Sequence, residues 1–144
     1  MRFERCFGCM EKTQDPDGIC PHCGFDAAHY AEAEYVLRPG TILQGRYVVG
    51  KLLGKGGFGI TYIGYDMSLD IRVAIKEYYP EGFVGRDANQ SPRLTWYSTR
   101  SEAQYVKNSR DNLLKEARNM AKIDTFPTLA RIRDVFVANE TAYL

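Results

Sequence analysis

The chain has 144 residues, of which 19 are Lys or Arg and 18 are Asp or Glu, so its formal net charge is +1. This near balance, without a long basic stretch, does not indicate nucleic-acid binding, and no apolar run is long enough to cross a bilayer. The N-terminus has no apolar segment typical of a signal peptide. We therefore expect a cytoplasmic protein with no nucleic-acid partner and no membrane segment in this stretch.

Residues 1–25 are predicted to form a small metal-binding domain. They contain every cysteine of the chain, in two C-x-x-C pairs: Cys6, Cys9, Cys20 and Cys23. This spacing is typical of tetrahedral coordination by four thiolates, and a segment this short needs the metal for its folding energy. Zinc is the favoured ion, while iron and a pair of disulfides are the alternatives. The segment resembles a zinc ribbon of the rubredoxin type, whose purpose the sequence does not indicate.

Residues 26–40 are predicted to link this ribbon to a second domain, residues 41–144. A Pro-Gly pair at the end of the linker marks the entry to that domain. If Tyr30, Tyr35 and Leu37 dock on the second domain, the ribbon is fixed to it. The sequence leaves this question open.

A glycine-rich loop separates two β-like runs at residues 46–53 and 60–65. No helical periodicity follows it, so the loop is predicted to close a hairpin rather than to open a helix. Glycines lack Cβ atoms, so a backbone rich in them can fold closely over a triphosphate and offer its N–H groups. The alternative is a tight hairpin whose glycines only satisfy turn geometry.

The run at residues 71–76 is predicted to be a strand with two different faces. Its three β-branched residues point into an apolar layer, and Ala74 and Lys76 share the opposite face. A small residue beside a lysine suits an adenine ring lying above the strand, with the ammonium reaching the phosphates. The alternative is a half-buried strand with a solvated lysine, which is common in β proteins.

A long helix is predicted from Ser101 to Ile123, with a capping box at its start. Its apolar residues form one stripe, and Glu116 lies on that stripe. An acid on the inward face costs stability unless it is paired, so Glu116 is predicted to be the partner of Lys76. The alternative is an ordinary surface glutamate.

In this order, the glycine loop, the Val-Ala-Ile-Lys run ending at Lys76, and Glu116 resemble the N-terminal lobe of a Ser/Thr-type protein kinase. More narrowly, the resemblance is to a bacterial group of such kinases, and it is carried by residues 39–41, 57–62 and 76–80. Two strand-like stretches at residues 131–138 and 141–144 extend the resemblance. It implies an α+β fold with a five-stranded antiparallel sheet and one main helix.

The resemblance also implies roles for individual residues. The loop glycines would cover the phosphates of ATP, Lys76 would contact the α- and β-phosphates, and Glu116 would position Lys76. The residues expected to contact the nucleotide are Leu53, Gly54, Gly56, Gly57, Phe58, Gly59, Thr61, Ala74 and Lys76.

The function implied is transfer of the γ-phosphate of ATP to protein hydroxyls by a full-length enzyme, with substrates that the sequence does not indicate. The alternative is a non-catalytic zinc-ribbon adaptor with a kinase-like scaffold lobe. Thr61 replaces the usual valine, and residues 79–100 are an insertion, predicted to form an extra strand or flap that packs through Trp96.

The 144 residues contain no His-Arg-Asp catalytic loop and no Asp-Phe-Gly magnesium site, so the magnesium ligands would belong to a second lobe. This stretch alone is therefore expected to be inactive, to bind ATP weakly, and to form dimers without physiological meaning.

Overall fold

The computed structural model describes residues 3–97, 110–123 and 134–144, and these contain eight strands and one helix. The elements are β1 (Ile42–Leu43), β2 (Tyr47–Lys55), β3 (Gly59–Asp66), β4 (Ile71–Tyr78), β5 (Val84–Gly85), β6 (Thr95–Trp96), α1 (Arg110–Ile123), β7 (Phe136–Ala138) and β8 (Thr141–Tyr143). No helix within these ranges is long and apolar enough to cross a membrane.

The main sheet is antiparallel and has six strands in the order β1-β2-β3-β4-β8-β7. The predicted number of five is wrong, because β1 adds a strand at the edge. A tight turn returns the chain from β1 into β2, with Gln44 (φ 56°) and Gly45 (φ 62°) both in the left-handed region. The Arg46 amide donates to the Leu43 carbonyl across this turn at 3.0 Å.

Helix α1 covers one face of the sheet and packs against β4, β7 and β8. Leu113 and Ala117, one turn apart, are buried in the core. The inward position of Leu113 confirms that part of the predicted stripe. The side chains of Met120 and Ile123, and the predicted start of the helix at residues 101–109, lie outside the described residues.

The insertion forms a small two-stranded sheet, β5 and β6, in which Val84 pairs with Trp96. Trp96 is buried, and its indole N–H donates to the Glu140 carbonyl at 2.7 Å. Its ring also packs near Tyr78, with ring centroids 6.2 Å apart. The prediction of an extra strand packed through Trp96 is confirmed.

A fully buried ion pair joins the insertion to the main sheet. The Glu77 carboxylate accepts two hydrogen bonds from the Arg86 guanidinium, at 2.8 and 2.5 Å, and both side chains are 0% exposed. The Tyr143 hydroxyl donates to the same carboxylate at 2.6 Å, and the Tyr62 hydroxyl does so at 3.3 Å. Because the acid and the arginine both find several partners, the cost of burying their charges is offset.

Arg86 also fixes the linker. Its Nε and one terminal nitrogen donate to the Tyr35 carbonyl at 2.8 and 2.6 Å, and the other terminal nitrogen donates to the Pro92 carbonyl at 3.1 Å. Burial opposes the charge of Arg86, but the hydrogen bonds to Glu77 outweigh it and raise the pKa of the guanidinium.

Replacing Arg86 by Met is expected to lower the free energy of unfolding by about 3–5 kcal/mol, because Glu77 is then left as an unpaired buried charge. The double variant Glu77→Gln/Arg86→Met should regain much of this loss, since the glutamine is neutral and can still accept from Tyr143. Urea denaturation measures both effects.

The matched control is Arg38→Met, at an arginine whose guanidinium makes a solvent-exposed hydrogen bond to Asn89. It should cost less than about 1 kcal/mol. A cost this small for Arg86→Met as well would contradict the role assigned to the buried pair.

Candidate functional site

The four cysteines of the ribbon (residues 3–25) come together in a cluster that could hold a metal ion. Their sulfur atoms lie within 4.8 Å of one another, with 3.7 Å between Cys6 and Cys23 and 3.8 Å between Cys9 and Cys20. Four sulfurs placed tetrahedrally at the usual Zn–S bond length would be about 3.8 Å apart. A disulfide needs about 2.05 Å, and all four thiols are free. The cluster therefore fits zinc and not two disulfides.

The two halves of the ribbon repeat the same local structure. In each half, the amide two residues after the first cysteine donates to that sulfur: Gly8 to Cys6 at 3.2 Å, and His22 to Cys20 at 3.3 Å. Burial opposes ionisation of Cys20, but the amides of Cys23 and His22 and the neighbouring thiols outweigh it and lower the pKa of Cys20 to about 6. Such donors stabilise thiolates, which are the form that binds a metal. Burial instead raises the pKa of Cys6 and of Cys9.

Each half ends with a residue in the left-handed region, Met10 (φ 64°) in the first and Gly24 (φ 79°) in the second. Each of these residues donates its amide to the carbonyl of the first cysteine of its pair, at 2.7 and 2.9 Å. Gly24 adopts this conformation without strain, whereas Met10 needs a reason to be there. The reason is its side chain, which is 2% exposed and packs against Val48 and Ile63.

The ribbon is thus fixed to the sheet, which answers the question that the sequence leaves open. The Lys51 amide donates to the Phe7 carbonyl at 2.9 Å, and the Arg72 guanidinium donates to the Cys9 carbonyl at 3.2 Å. Gly50 allows this approach, because a Cβ there would lie 2.4 Å from the Phe7 carbonyl oxygen. In the linker, the Tyr30 hydroxyl accepts from the Leu52 amide at 3.0 Å.

Thr61, Ala74 and Lys76 lie on one face of the sheet. Thr61 is paired with Lys76, and Ile63 is paired with Ala74, across β3 and β4. Because alternate residues of a strand share a face, this is also the face on which the ribbon packs against Ile63. The ribbon and the predicted nucleotide-binding residues are therefore neighbours on the same side of the sheet.

Lys76 is half-buried, and burial lowers the pKa of its ammonium group. Its backbone is held on both sides, because its amide and carbonyl each make a 2.9 Å hydrogen bond to Leu144. Glu116 lies on α1 and is also half-buried. Burial and then the charge of Glu116 raise the pKa of Tyr78, two residues after Lys76, to about 12. The pairing of Lys76 with Glu116 stays a prediction.

The glycine loop is a hairpin between β2 and β3, and its tip is open. Leu53 and Phe58 are about half exposed, at 53% and 55%. A Cβ added at Gly54, Gly56 or Gly57 would meet nothing within 4 Å among the described residues. None of these three glycines has a positive φ. Neither a positive φ nor a close contact within the described chain requires glycine at these three positions.

Two features near the loop were not found in the sequence. The Tyr79 amide donates to the Phe58 carbonyl at 2.9 Å, and the Glu81 amide donates to the Gly57 carbonyl at 3.1 Å. These donors come from the start of the insertion. Local sequence patterns do not predict such backbone contacts, because amides carry no residue-specific signal.

The described structure is similar to the apo form of PpkA-294, a fragment of a bacterial Ser/Thr kinase. The sequences are 30% identical, the TM-score is 0.56, and the match covers 76% of this chain. This chain spans 37% of the length of that structure. No family model matches the chain, and a search of curated proteins gave no match. The fold is therefore that of a kinase-like N-terminal lobe preceded by a four-cysteine cluster compatible with a zinc ribbon.

The purified protein is expected to contain about one zinc ion per chain, bound by four thiolates. Elemental analysis and thiol titration measure this. Cys20→Ser should lose the metal and loosen the ribbon, whereas His22→Ala, between two ligands, should keep it. A metal-free protein with four freely titrating thiols and an unchanged fold would rule out the site.

Two substitutions on β2 test how the ribbon docks. Gly50→Ala places a methyl group against Phe7 and is expected to lower the free energy of unfolding by about 1–3 kcal/mol. Gly54→Ala, on the same strand with open space around it, should change stability by less than about 0.5 kcal/mol. Urea denaturation compares the two, and equal effects would contradict the docking geometry.

Proposed function

We propose that the chain is the ATP-binding lobe of a Ser/Thr protein kinase, which in the full-length enzyme transfers the γ-phosphate of ATP to protein hydroxyls. The observation that carries the proposal is the open glycine loop above a sheet face with Thr61, Ala74 and Lys76. The similarity to PpkA-294 supports the same class of function.

The residues of the site have complementary chemistry for a nucleotide. The adenine ring would contact Thr61 and Ala74, which share one face of the sheet, and the exposed side chain of Leu53. The loop from Gly54 to Gly59 can bring backbone N–H groups close to phosphate oxygens. Lys76 is a half-buried cation, and its charge would attract an anionic phosphate.

Glu116 is the group we propose to orient Lys76. It lies on the helix that packs against β4, the strand that carries Lys76. Magnesium would be held by residues of a second lobe, where it would neutralise charge on the phosphates. The ribbon is proposed to hold zinc as a structural ion, because thiolate ligands fill all four positions of its site.

The proposal is tested in the full-length protein with Lys76→Ala and Glu116→Ala. Each is expected to lower the rate of phosphoryl transfer by about 100-fold or more, because misplacing the phosphates costs this much. Each should lower the free energy of unfolding by much less than the free-energy equivalent of its loss in rate. Radiolabelled ATP and urea denaturation give the two readouts.

Lys51→Ala and Lys115→Ala are the controls, since they remove lysines from the same sheet and the same helix. Unchanged activity in Lys76→Ala or Glu116→Ala would contradict the assignment. A full-length protein that binds zinc but neither binds nor uses ATP would instead support the adaptor function. The 144 residues alone should bind ATP with a dissociation constant of ~1 mM and transfer no phosphate.

A further inference from the structure

We propose that the segment Tyr79–Glu81, called here the 79–81 segment, and Lys55 are positioning elements that orient the glycine loop for phosphate binding. This inference rests on the proposed function. It assigns a role to the start of the insertion, which makes direct backbone contacts with the loop.

The first argument is the direction of the peptide groups at the loop tip. The carbonyls of Gly57 and Phe58 both point towards the 79–81 segment, where the amides of Glu81 and Tyr79 donate to them. A trans peptide holds its C=O and N–H in opposite directions. The next N–H groups along the chain, those of Phe58 and Gly59, therefore point away from the segment. Two successive amides that face the same open side make a concave site for anions.

The second argument is a set of side-chain contacts beside these backbone bonds. The Lys55 ammonium lies 3.3 Å from the Glu81 carboxylate and 3.2 Å from the Tyr35 hydroxyl. It also lies 4.3 Å from the centroid of the Tyr35 ring. Lys55 is the last residue of β2 and the second residue of the loop from Gly54 to Gly59, so these contacts hold the first part of the loop.

The third argument is that the buried ion pair between Glu77 and Arg86 holds the residues that make these contacts in place. Arg86 donates two hydrogen bonds to the Tyr35 carbonyl, and the Tyr35 and Tyr79 rings lie 5.5 Å apart. The 79–81 segment follows directly after β4, whose Glu77 holds Arg86. A glycine-rich loop loses much conformational entropy when a ligand orders it. Attachment to a rigid part of the fold lowers that cost before the ligand arrives.

The proposal predicts that Glu81→Ala and Lys55→Met each weaken ATP binding by about three- to tenfold, as expected when one exposed ion pair or cation–π contact is lost. The affinity is measured by following backbone amide resonances of the 144-residue protein during an ATP titration. Hydrogen exchange at the Tyr79 and Glu81 amides should also become faster in both variants.

Glu81→Ala separates positioning from simple electrostatics. Removing a negative charge near a phosphate site should tighten ATP binding if charge alone matters, whereas it should weaken binding if Glu81 orients the loop. The double variant should bind ATP no more weakly than the single variant with the lower affinity, because both substitutions break the same contact between Lys55 and Glu81. Lys55→Arg should restore binding, since it keeps the cation over Tyr35.

Glu34→Ala and Lys51→Met are the matched controls, an exposed linker acid and a lysine on the same strand, and both should bind ATP like the unchanged protein. Tighter or unchanged binding in Glu81→Ala would overturn the positioning role while leaving the proposed function intact. If the unchanged protein shows no response of the loop amides to ATP up to ~10 mM, both the proposed function and this inference are overturned.

Discussion

The ion pair between Glu77 and Arg86 is the interaction on which the described structure most depends. Two charges that are fully removed from water cost several kcal/mol each unless their hydrogen bonds are replaced. Here the hydroxyls of Tyr62 and Tyr143 donate hydrogen bonds to the Glu77 carboxylate. Two backbone carbonyls, those of Tyr35 and Pro92, accept hydrogen bonds from the Arg86 guanidinium. No buried side-chain nitrogen or oxygen among the described residues lacks a hydrogen-bond partner. The pair therefore specifies one arrangement of sheet, insertion and linker.

The position of this ion pair affects the opposite face of the sheet, which carries Lys76. Glu77 follows Lys76 along β4, so the two side chains point to opposite faces of the sheet. Glu77 is paired with Tyr143 on β8, and the backbone of Lys76 bonds to Leu144 just beyond that strand. The contacts of Glu77 on one face of the sheet thus fix the strand that carries Lys76 on the other face. The buried ion pair and the candidate nucleotide site therefore depend on the same stretch of β4.

Local features of the sequence predicted the parts of the fold that depend on spacing. The two cysteine pairs predicted a four-sulfur cluster, because each pair closes one tight turn. The strands around the glycine loop and the lysine strand follow from alternation and turn residues. The roles of Lys76 and Glu116 stay predictions.

The features that the sequence did not predict depend on contacts between distant residues. The strand β1 is only two residues long, and its turn uses Gln44 in a conformation that glutamine rarely adopts. Glu77 continues the alternation of Val73 and Ile75, so a buried acid could have been suspected there. Its partner Arg86 gave no such signal, because the pair forms only when the insertion folds back over the sheet.

The docking of the ribbon connects the four-cysteine cluster to the sheet beside it. The tight turn after Cys9 places Met10 in a strained conformation, and the side chain then fills a position against Ile63. Residues 3–25 are too few to bury a core of their own, so we expect the folding of the ribbon to depend on a bound metal. The apolar patch of β2 and β3 beneath it is covered only when that turn is formed. Because Ile63 is paired with Ala74, the contact between Met10 and Ile63 borders the candidate adenine surface.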